Sequence, residues 1–303
     1  MSFSSEVKSE LCRSNPVQRL CCALAECYGI LLYCNTFSAR EVRIITGSNS
    51  FAVRLPKLFK RAFDVELTEQ RSGETAKHSF VLTDPAGIRR IFEAYGYSPE
   101  QALQHHINLA VLEEHCCRAA FIRGAFLAGG SVMDPAKRYH LELVTDHASV
   151  SREAYSVLLE MGFQPKDINR NGHYVIYFKH SEAIEDVLTT IGAPLAAMQL
   201  MQAKVEKNMR NAVNRRVNCD SANADKVVNA AQVQLEAIRK LDRTTGLDEL
   251  PEKLQETALL RIANPEASLA DLAMLSDPPM SKSCLSHRLR KLIELAEKTP
   301  EQP

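Results

Sequence analysis

The chain lacks most features that would assign it to a class at once. It has no net charge, because 37 Lys and Arg balance 37 Asp and Glu across 303 residues. Total charge gives no pointer to nucleic acid, so any basic footprint has to be local. No C-x-x-C occurs among the nine cysteines, at 12, 21, 22, 27, 34, 116, 117, 219 and 284. Neither a disulfide framework nor a zinc knuckle is suggested, and free thiols in a reducing compartment are expected. His105, His106 and His115 crowd near Cys116 and Cys117, but their spacing fits no standard zinc pattern. No metal and no cofactor are expected. The opening residues MSFSSEVKSELC hold no apolar h-region, and no window reaches the eighteen or so apolar residues of a membrane span. The expectation is a soluble, cytoplasmic protein with no membrane partner.

What is present is ordinary for a protein with real cores: 45% hydrophobic and 24% charged residues, over a length that suggests about two domains. The first two-thirds repeat themselves. Around Gly29 the chain reads CCALAECYGILL, and around Gly130 it reads IRGAFLAGGSVM. Aligning Gly29 with Gly130 pairs Ala23 with Gly124 and Cys27 with Ala128. Both segments read as helices with small residues four apart, which share one face and let a second helix approach closely.

The sequels match in order. ILLYCNTF and EVRIITGS read as strands in the first copy, and YHLELVTD as a strand in the second. A helix follows in each, with Asn49 or Ser50 and Asp146 as N-caps. Two more strands come next, VELTEQ and HSFVLT, then PKDINR and HYVIYFK. Asn171-Gly172 joins the second pair as a hairpin. A helix closes each copy. Residues 16–95 and 117–193 thus read as αββαββα twice, giving an α+β domain over 1–193 in which the small-residue helices meet at a pseudo-twofold axis.

Paired helices ending in glycine, each opening an αββαββα unit, resemble the LAGLIDADG homing-endonuclease fold in its single-chain form. Matching that motif to Ile122–Gly130 puts its two acids on Leu127 and Gly129; in the first copy the matching positions are Glu26 and Tyr28. In the nuclease family the last acid of each motif binds a divalent metal, and Mg²⁺ needs oxygen ligands. Gly129 offers none and Tyr28 only a neutral phenol. Glu26 lies two residues away, roughly 200° around the helix, and reads as a buried or interfacial carboxylate. No catalytic residue is expected. The resemblance also implies a concave sheet face that could lie on DNA. Arg40, Arg43, Lys166, Asn169, Arg170 and Lys179 are the candidates there, interspersed with Glu41, Glu66, Glu69, Glu142 and Asp167. A solvated or protein-contacting face is the alternative.

From Pro194 the chain changes character. Met198, Met201, Val205, Met209 and Ala212 or Val213 recur every three or four residues, predicting an amphipathic linker helix over 194–220 with a methionine packing stripe. Lys204, Lys207, Arg210, Arg215 and Arg216 make it a secondary phosphate-contact candidate. An all-α domain follows over 221–303, with Val227, Ala231, Leu235, Ile238 and Leu241 on one helix face. SLADLAML opens on an S-x-x-D capping pattern at Ser268 and Asp271. SDPPM turns the chain, and Ser281 caps SKSCLSHRLRKLIELAEK. Leu285, Leu289, Leu292 and Ala296 form the inner face of this last helix. Between Ser281 and Lys291 lie four basic residues, one histidine and no acid. A short helix, a turn and such a helix read as helix-turn-helix. Lys282, Ser283, Ser286, His287 and Arg290 would face a DNA groove, with Arg288 and Lys291 nearer the backbone, and Ser281 counts with them as DNA-binding.

The two halves together, with NRRVNCDSANADK and SDPPMSKSCLSHRLRKL, resemble the WhiA family of bacterial regulators over nearly the whole chain. That resemblance implies a nucleoid-associated, sequence-specific transcription factor without nuclease activity. It would act in cell division and chromosome segregation, and in sporulation in some lineages. Its C-terminal domain would be similar to region 4 of sigma factors. Double-stranded DNA is the expected partner, and a monomer the expected state. Two other readings stay open: a protein that docks on RNA polymerase, a sigma factor or division machinery, and an active nuclease.

Overall fold

A computed structural model describes residues 2–14, 19–70, 77–97 and 105–299; the expected start of the first repeat at residue 16 falls outside them. The chain forms two compact units, 1–208 and 209–303.

In the first unit the predicted order appears twice. The first copy runs α2 (Leu20–Tyr33), β1 (Thr36–Phe37), β2 (Val42–Thr46), α3 (Asn49–Phe63), β3 (Glu69–Gln70), β4 (His78–Leu82) and α4 (Pro85–Ala94). The second runs α5 (His115–Gly129), β5 (Gly130–Val132), β6 (Leu141–Thr145), α6 (Ala148–Glu160), β7 (Lys166–Arg170), β8 (His173–Phe178) and α7 (Ser181–Ile191). The two antiparallel sheets have the same strand order, β1-β2-β4-β3 and β5-β6-β8-β7. In each the inner face is apolar at alternate residues: Val42 and Ile44 are buried on β2, Leu141 and Leu143 on β6. Asn171 (φ 52°) and Gly172 (φ 84°) both take positive φ, as a two-residue type I′ hairpin requires.

The run ILLYCNTF is not a strand. Helix α2 continues to Tyr33, and only Thr36 and Phe37 pair with β2. An apolar run of this length has no period that separates a buried strand from a buried helix. Here the helix is enclosed: Ile30, Leu31 and Leu32 are all buried. The N-caps also shift. Ser48 caps α3 by accepting from the Phe51 N–H. His147 stands at the N-cap of α6 without a side-chain bond, and Asp146 pairs with His173 instead.

A helix α1 (Phe3–Ser14), not expected from the sequence, packs Val7 and Leu11 into the same core. It also prepares the start of the next long element, α8 (Pro194–Thr244). Both oxygens of the buried Glu10 carboxylate accept first-turn N–H groups of α8, from Leu195 at 2.7 Å and Ala196 at 2.9 Å. These are donors that no intrahelical carbonyl can satisfy.

Helix α8 is one element of 51 residues, where the sequence suggests a linker helix ending at 220. CDSANADK contains no glycine or proline, and its polar residues each cost at most about 0.7 kcal/mol of helix propensity. The methionine stripe does not pack: Met198, Met201, Val205, Met209 and Val213 are all exposed. Every residue from 208 to 230 is exposed, so Val227 leaves the expected core face, which begins at Ala231.

The second unit closes with α9 (Glu252–Ala263), α10 (Leu269–Leu275) and α11 (Lys282–Lys298). Ile238 and Leu241 of α8 meet Leu254 and Ala258, Leu272 and Ala273, and the predicted Leu285, Leu289, Leu292 and Ala296. Each fully buried leucine here contributes about 1.5–3 kcal/mol.

Candidate nucleic-acid interface

Local chemistry sets the helix-turn-helix. Ser268 and Asp271 form the predicted capping box at the start of α10, and Ser281 caps α11 by accepting from the Cys284 N–H. Between the two helices, Ser276 Oγ donates to the Ala273 carbonyl at 2.8 Å and accepts from the Met280 N–H at 3.1 Å. The turn is thus closed on itself, although it is longer than usual. Buried Arg261, which no local signal in the sequence marks, donates to the carbonyls of Asn264 and Ala267 and holds the α9–α10 loop. Burial lowers its pKa.

With its leucines turned inward, α11 presents Ser281, Lys282, Ser283, His287, Arg290 and Lys291 to solvent. Ser286 is half-buried. Arg288 is half-buried too, and its Nη1 donates to the Lys253 carbonyl at 3.3 Å. That bond ties α11 to α9, so this guanidinium is less free for a ligand than its neighbours. No acid appears on α11 before Glu294.

The secondary cluster on α8 divides. Lys204 pairs with Glu182 at 2.5 Å, and Lys207 lies 5.2 Å from the Tyr139 ring centroid. Arg210, Arg215 and Arg216 are exposed. On the outer sheet faces, Arg43 pairs with Glu41 at 2.6 Å and Arg170 approaches Glu142 at 3.9 Å. Lys179 lies over Tyr177, and Arg40, Lys166 and Asn169 are exposed. Met133, Arg138, Arg170, Tyr177 and Lys179 line a groove there with Glu142.

The central helix pair holds the positions matched to the motif acids. A Cβ on Gly29 would stand 2.1 Å from the Phe121 carbonyl oxygen, and one on Gly124 would stand 2.0 Å from that of Glu26. Real atoms do not approach so closely, so only glycine permits this seam. These contacts exchange under a shift of 95 residues: Gly29 becomes Gly124, Glu26 becomes Phe121, and Ile30 becomes Ala125. The sequence alignment of Gly29 with Gly130 is therefore corrected. Gly29 is an interior contact, not a helix end. Leu127 and Gly129 correspond to Leu32 and Cys34, not to Glu26 and Tyr28.

None of these four positions offers a carboxylate, so the donor set does not fit the hard cation of the nuclease family. A Cβ at Gly129 would meet the Val144 carbonyl oxygen at 2.5 Å, which leaves no room for an acid. Lys8 of α1 donates instead to the Leu127 carbonyl at 3.1 Å. Desolvation holds its pKa down at about 8.

Glu26 and Tyr28 are structural. Glu26, 2% exposed, receives both ends of the Arg54 guanidinium at 2.7 and 2.8 Å and Arg123 Nη1 at 3.2 Å. This joins α2, α3 and α5. The Tyr28 hydroxyl hydrogen-bonds with the Tyr97 hydroxyl, donates to the His106 carbonyl and accepts from the Asn108 N–H. Burial raises its pKa well above the usual phenol range.

The histidine and cysteine crowd comes apart. His105 stacks on His147 with ring centroids 3.8 Å apart, and its Nε2 lies 2.8 Å from the Phe37 carbonyl oxygen. Cys116 and Cys117 join Cys21 and Cys22.

The fold is thus a degenerate, doubled αββαββα domain followed by a helix-turn-helix domain. Residues 118–210 match the WhiA LAGLIDADG-like domain, and residues 213–296 match the WhiA C-terminal HTH domain. The chain is 39% identical to the "Probable cell division protein WhiA" of Ruminiclostridium cellulolyticum and 37% identical to that of Clostridium perfringens strain 13, with 98% of each chain covered in both comparisons. The crystal structure of full-length WhiA from T. maritima superposes over 100% of both chains, with a TM-score of 0.58 at 23% identity. The chain belongs to the WhiA family. No helix of the described residues is long and apolar enough to cross a membrane.

Proposed function

We propose that this protein is a sequence-specific DNA-binding transcriptional regulator that does not cut DNA. It acts in cell division, as its relatives' names indicate, and in chromosome segregation, with sporulation added in some lineages. The observation that carries this reading is α11. Its apolar face is committed to α9 and α10, and its other face is basic and free of acids over three turns. Such a face enters a major groove: Lys282, Ser283, Ser286, His287 and Arg290 reach base edges, and Ser281, Arg288 and Lys291 contact the backbone. Arg210, Arg215 and Arg216 of α8, with Lys204 and Lys207, add phosphate contacts. The absence of nuclease chemistry rests on the four motif positions, which supply no oxygen ligand.

A second reading has one observation in its favour. The exposed apolar stripe from Met198 to Val213 suits a protein partner, such as RNA polymerase, a sigma factor or a division protein. DNA binding would then be secondary. A monomer in solution accompanies the first reading.

The test is selection of a randomised double-stranded DNA pool by the full chain across a salt series. A motif should emerge. Arg290→Ala should then weaken binding by about 1–3 kcal/mol and relax one base position. Lys291→Ala should weaken all sequences alike and reduce the salt slope by about one. Unchanged affinity and specificity in Arg290→Ala would remove α11 as the reading helix. Failure of the full chain to enrich any motif would favour the protein-partner reading.

A further inference from the structure

The same shift of 95 residues that relates Gly29 to Gly124 also relates Cys21 to Cys116 and Cys22 to Cys117. These four are the second and third residues of α2 and α5. Their sulfurs all lie within 4.8 Å of one another. Among the described residues this is the one group of three or more His, Cys, Asp or Glu side chains so arranged. We propose that Cys21, Cys22, Cys116 and Cys117 bind one tetrahedrally coordinated thiophilic divalent cation, Zn²⁺, which clamps the N-terminal ends of the two central helices.

Three observations support it. The first is geometry. Four sulfurs at about 2.3 Å from one zinc stand about 3.8 Å apart, and Cys21 and Cys22 already lie 4.0 Å apart. Closure needs only side-chain adjustment. The second is charge. Four thiolates around Zn²⁺ carry a net charge of −2, which two helix N-termini favour. Neither helix has a side-chain cap, so its first-turn N–H groups are not taken up by capping. The third is access. Cys117 is buried, Cys22 and Cys116 are half-buried, and Cys21 is exposed, so the cluster is held by the core yet open to an ion from solvent.

Ligand softness sets the metal class. A set of four thiolates selects zinc or iron over magnesium or calcium. The site also lies at the opposite end of α2 and α5 from the lost acids of the nuclease motif, so it is not a remnant of that chemistry. It escaped the sequence reading because each half is a bare Cys-Cys pair, and the pseudo-twofold alone makes four ligands of them.

The test uses the full chain purified under reducing, oxygen-free conditions. Elemental analysis should find one zinc per chain. Replacement by Co²⁺ should give the intense thiolate charge-transfer and visible d–d absorption of a tetrahedral tetrathiolate site. Cys22→Ser with Cys117→Ser should abolish the bound zinc and the cobalt spectrum, while Cys219→Ser with Cys284→Ser should leave both intact. If the cluster variant does not fold, alkylation of the unaltered chain decides the matter. The four cysteines should be protected until a chelator is added, and zinc should restore protection where magnesium does not. The proposal is overturned if the reduced chain binds no stoichiometric zinc and gives no tetrathiolate spectrum. Retention of metal by the cluster variant overturns it, as does recovery of the four cysteines as disulfides in place of a metal.

Discussion

The two ends of the α2–α5 helix pair carry opposite chemistry under the same symmetry. At the C-terminal end, the positions that hold acids in the nuclease family are Leu32, Cys34, Leu127 and Gly129. The backbone of β6 has closed over the last of these. At the N-terminal end, potential donors are present in full on both helices, as two cysteine pairs. Between the two ends, glycine on each helix lets the backbones touch. The seam thus forms without a carboxylate at any of these four positions. The seam then serves assembly, and the basic, acid-free helix face lies apart from it, on α11 of the second unit.

The largest effect should come from breaking the seam itself. Gly124→Ala places a Cβ 2.0 Å from the Glu26 carbonyl oxygen. Backbone atoms cannot yield as a flexible side chain can, so the helices must separate. A loss of about 5 kcal/mol or more is expected, a large share of the stability of an ordinary domain. Chemical denaturation of the full chain should show the first unit unfolding early, with the second transition unmoved. Unchanged unfolding would mean that the helices do not meet at Gly124.

The polar link beside the seam comes next. Glu26→Gln removes the carboxylate charge that Arg54 and Arg123 share in the core. Breaking a buried pair in this way costs about 3–5 kcal/mol. Because Arg123 also donates to the Ile191 carbonyl, the double variant Glu26→Gln with Arg54→Met should recover part of the loss. An additive double-variant result would dissolve the triad.

The smallest effect sharpens the contrast at the C-terminal end. Lys8 is held at a pKa of about 8 by desolvation, against 10.5 for the free side chain. Between these values the unfolded chain binds more protons than the folded one, so stability should rise with pH from about 8 to 10.5. The gain is of the order of 1–3 kcal/mol. Lys8→Met should flatten that rise in pH-dependent unfolding. A rise that persists in the variant would assign it to other groups.

Legibility followed the range of the interactions involved. The capping box at Ser268, the N-cap at Ser281, the hairpin at Asn171-Gly172 and the leucine face of α11 depend on residues a few positions apart, and each stands where its pattern places it. The double αββαββα order was legible for the same reason. Misreadings arose where a local pattern admits two answers. ILLYCNTF is apolar enough for strand or helix, and the stripe on α8 is amphipathic whether or not anything covers it. Helix α1 carries its period on Phe3, Val7 and Leu11 alone, ahead of the first repeat, and it supplies Glu10 to α8 and Lys8 to α5.

The sequence by itself determined the two repeats, their element order, the all-α ending and the basic, acid-free face of its last helix. These rest on hydrophobic period and backbone propensity, which act within one or two turns. Tertiary structure alone decided the register of the repeats, the pairing of Glu26 with Arg54 and Arg123, and the gathering of four thiols. Each requires groups far apart in sequence, up to 97 residues for Glu26 and Arg123, to meet at a distance set by two glycines. No pattern within a single segment carries that distance; it exists only once the backbones are in contact.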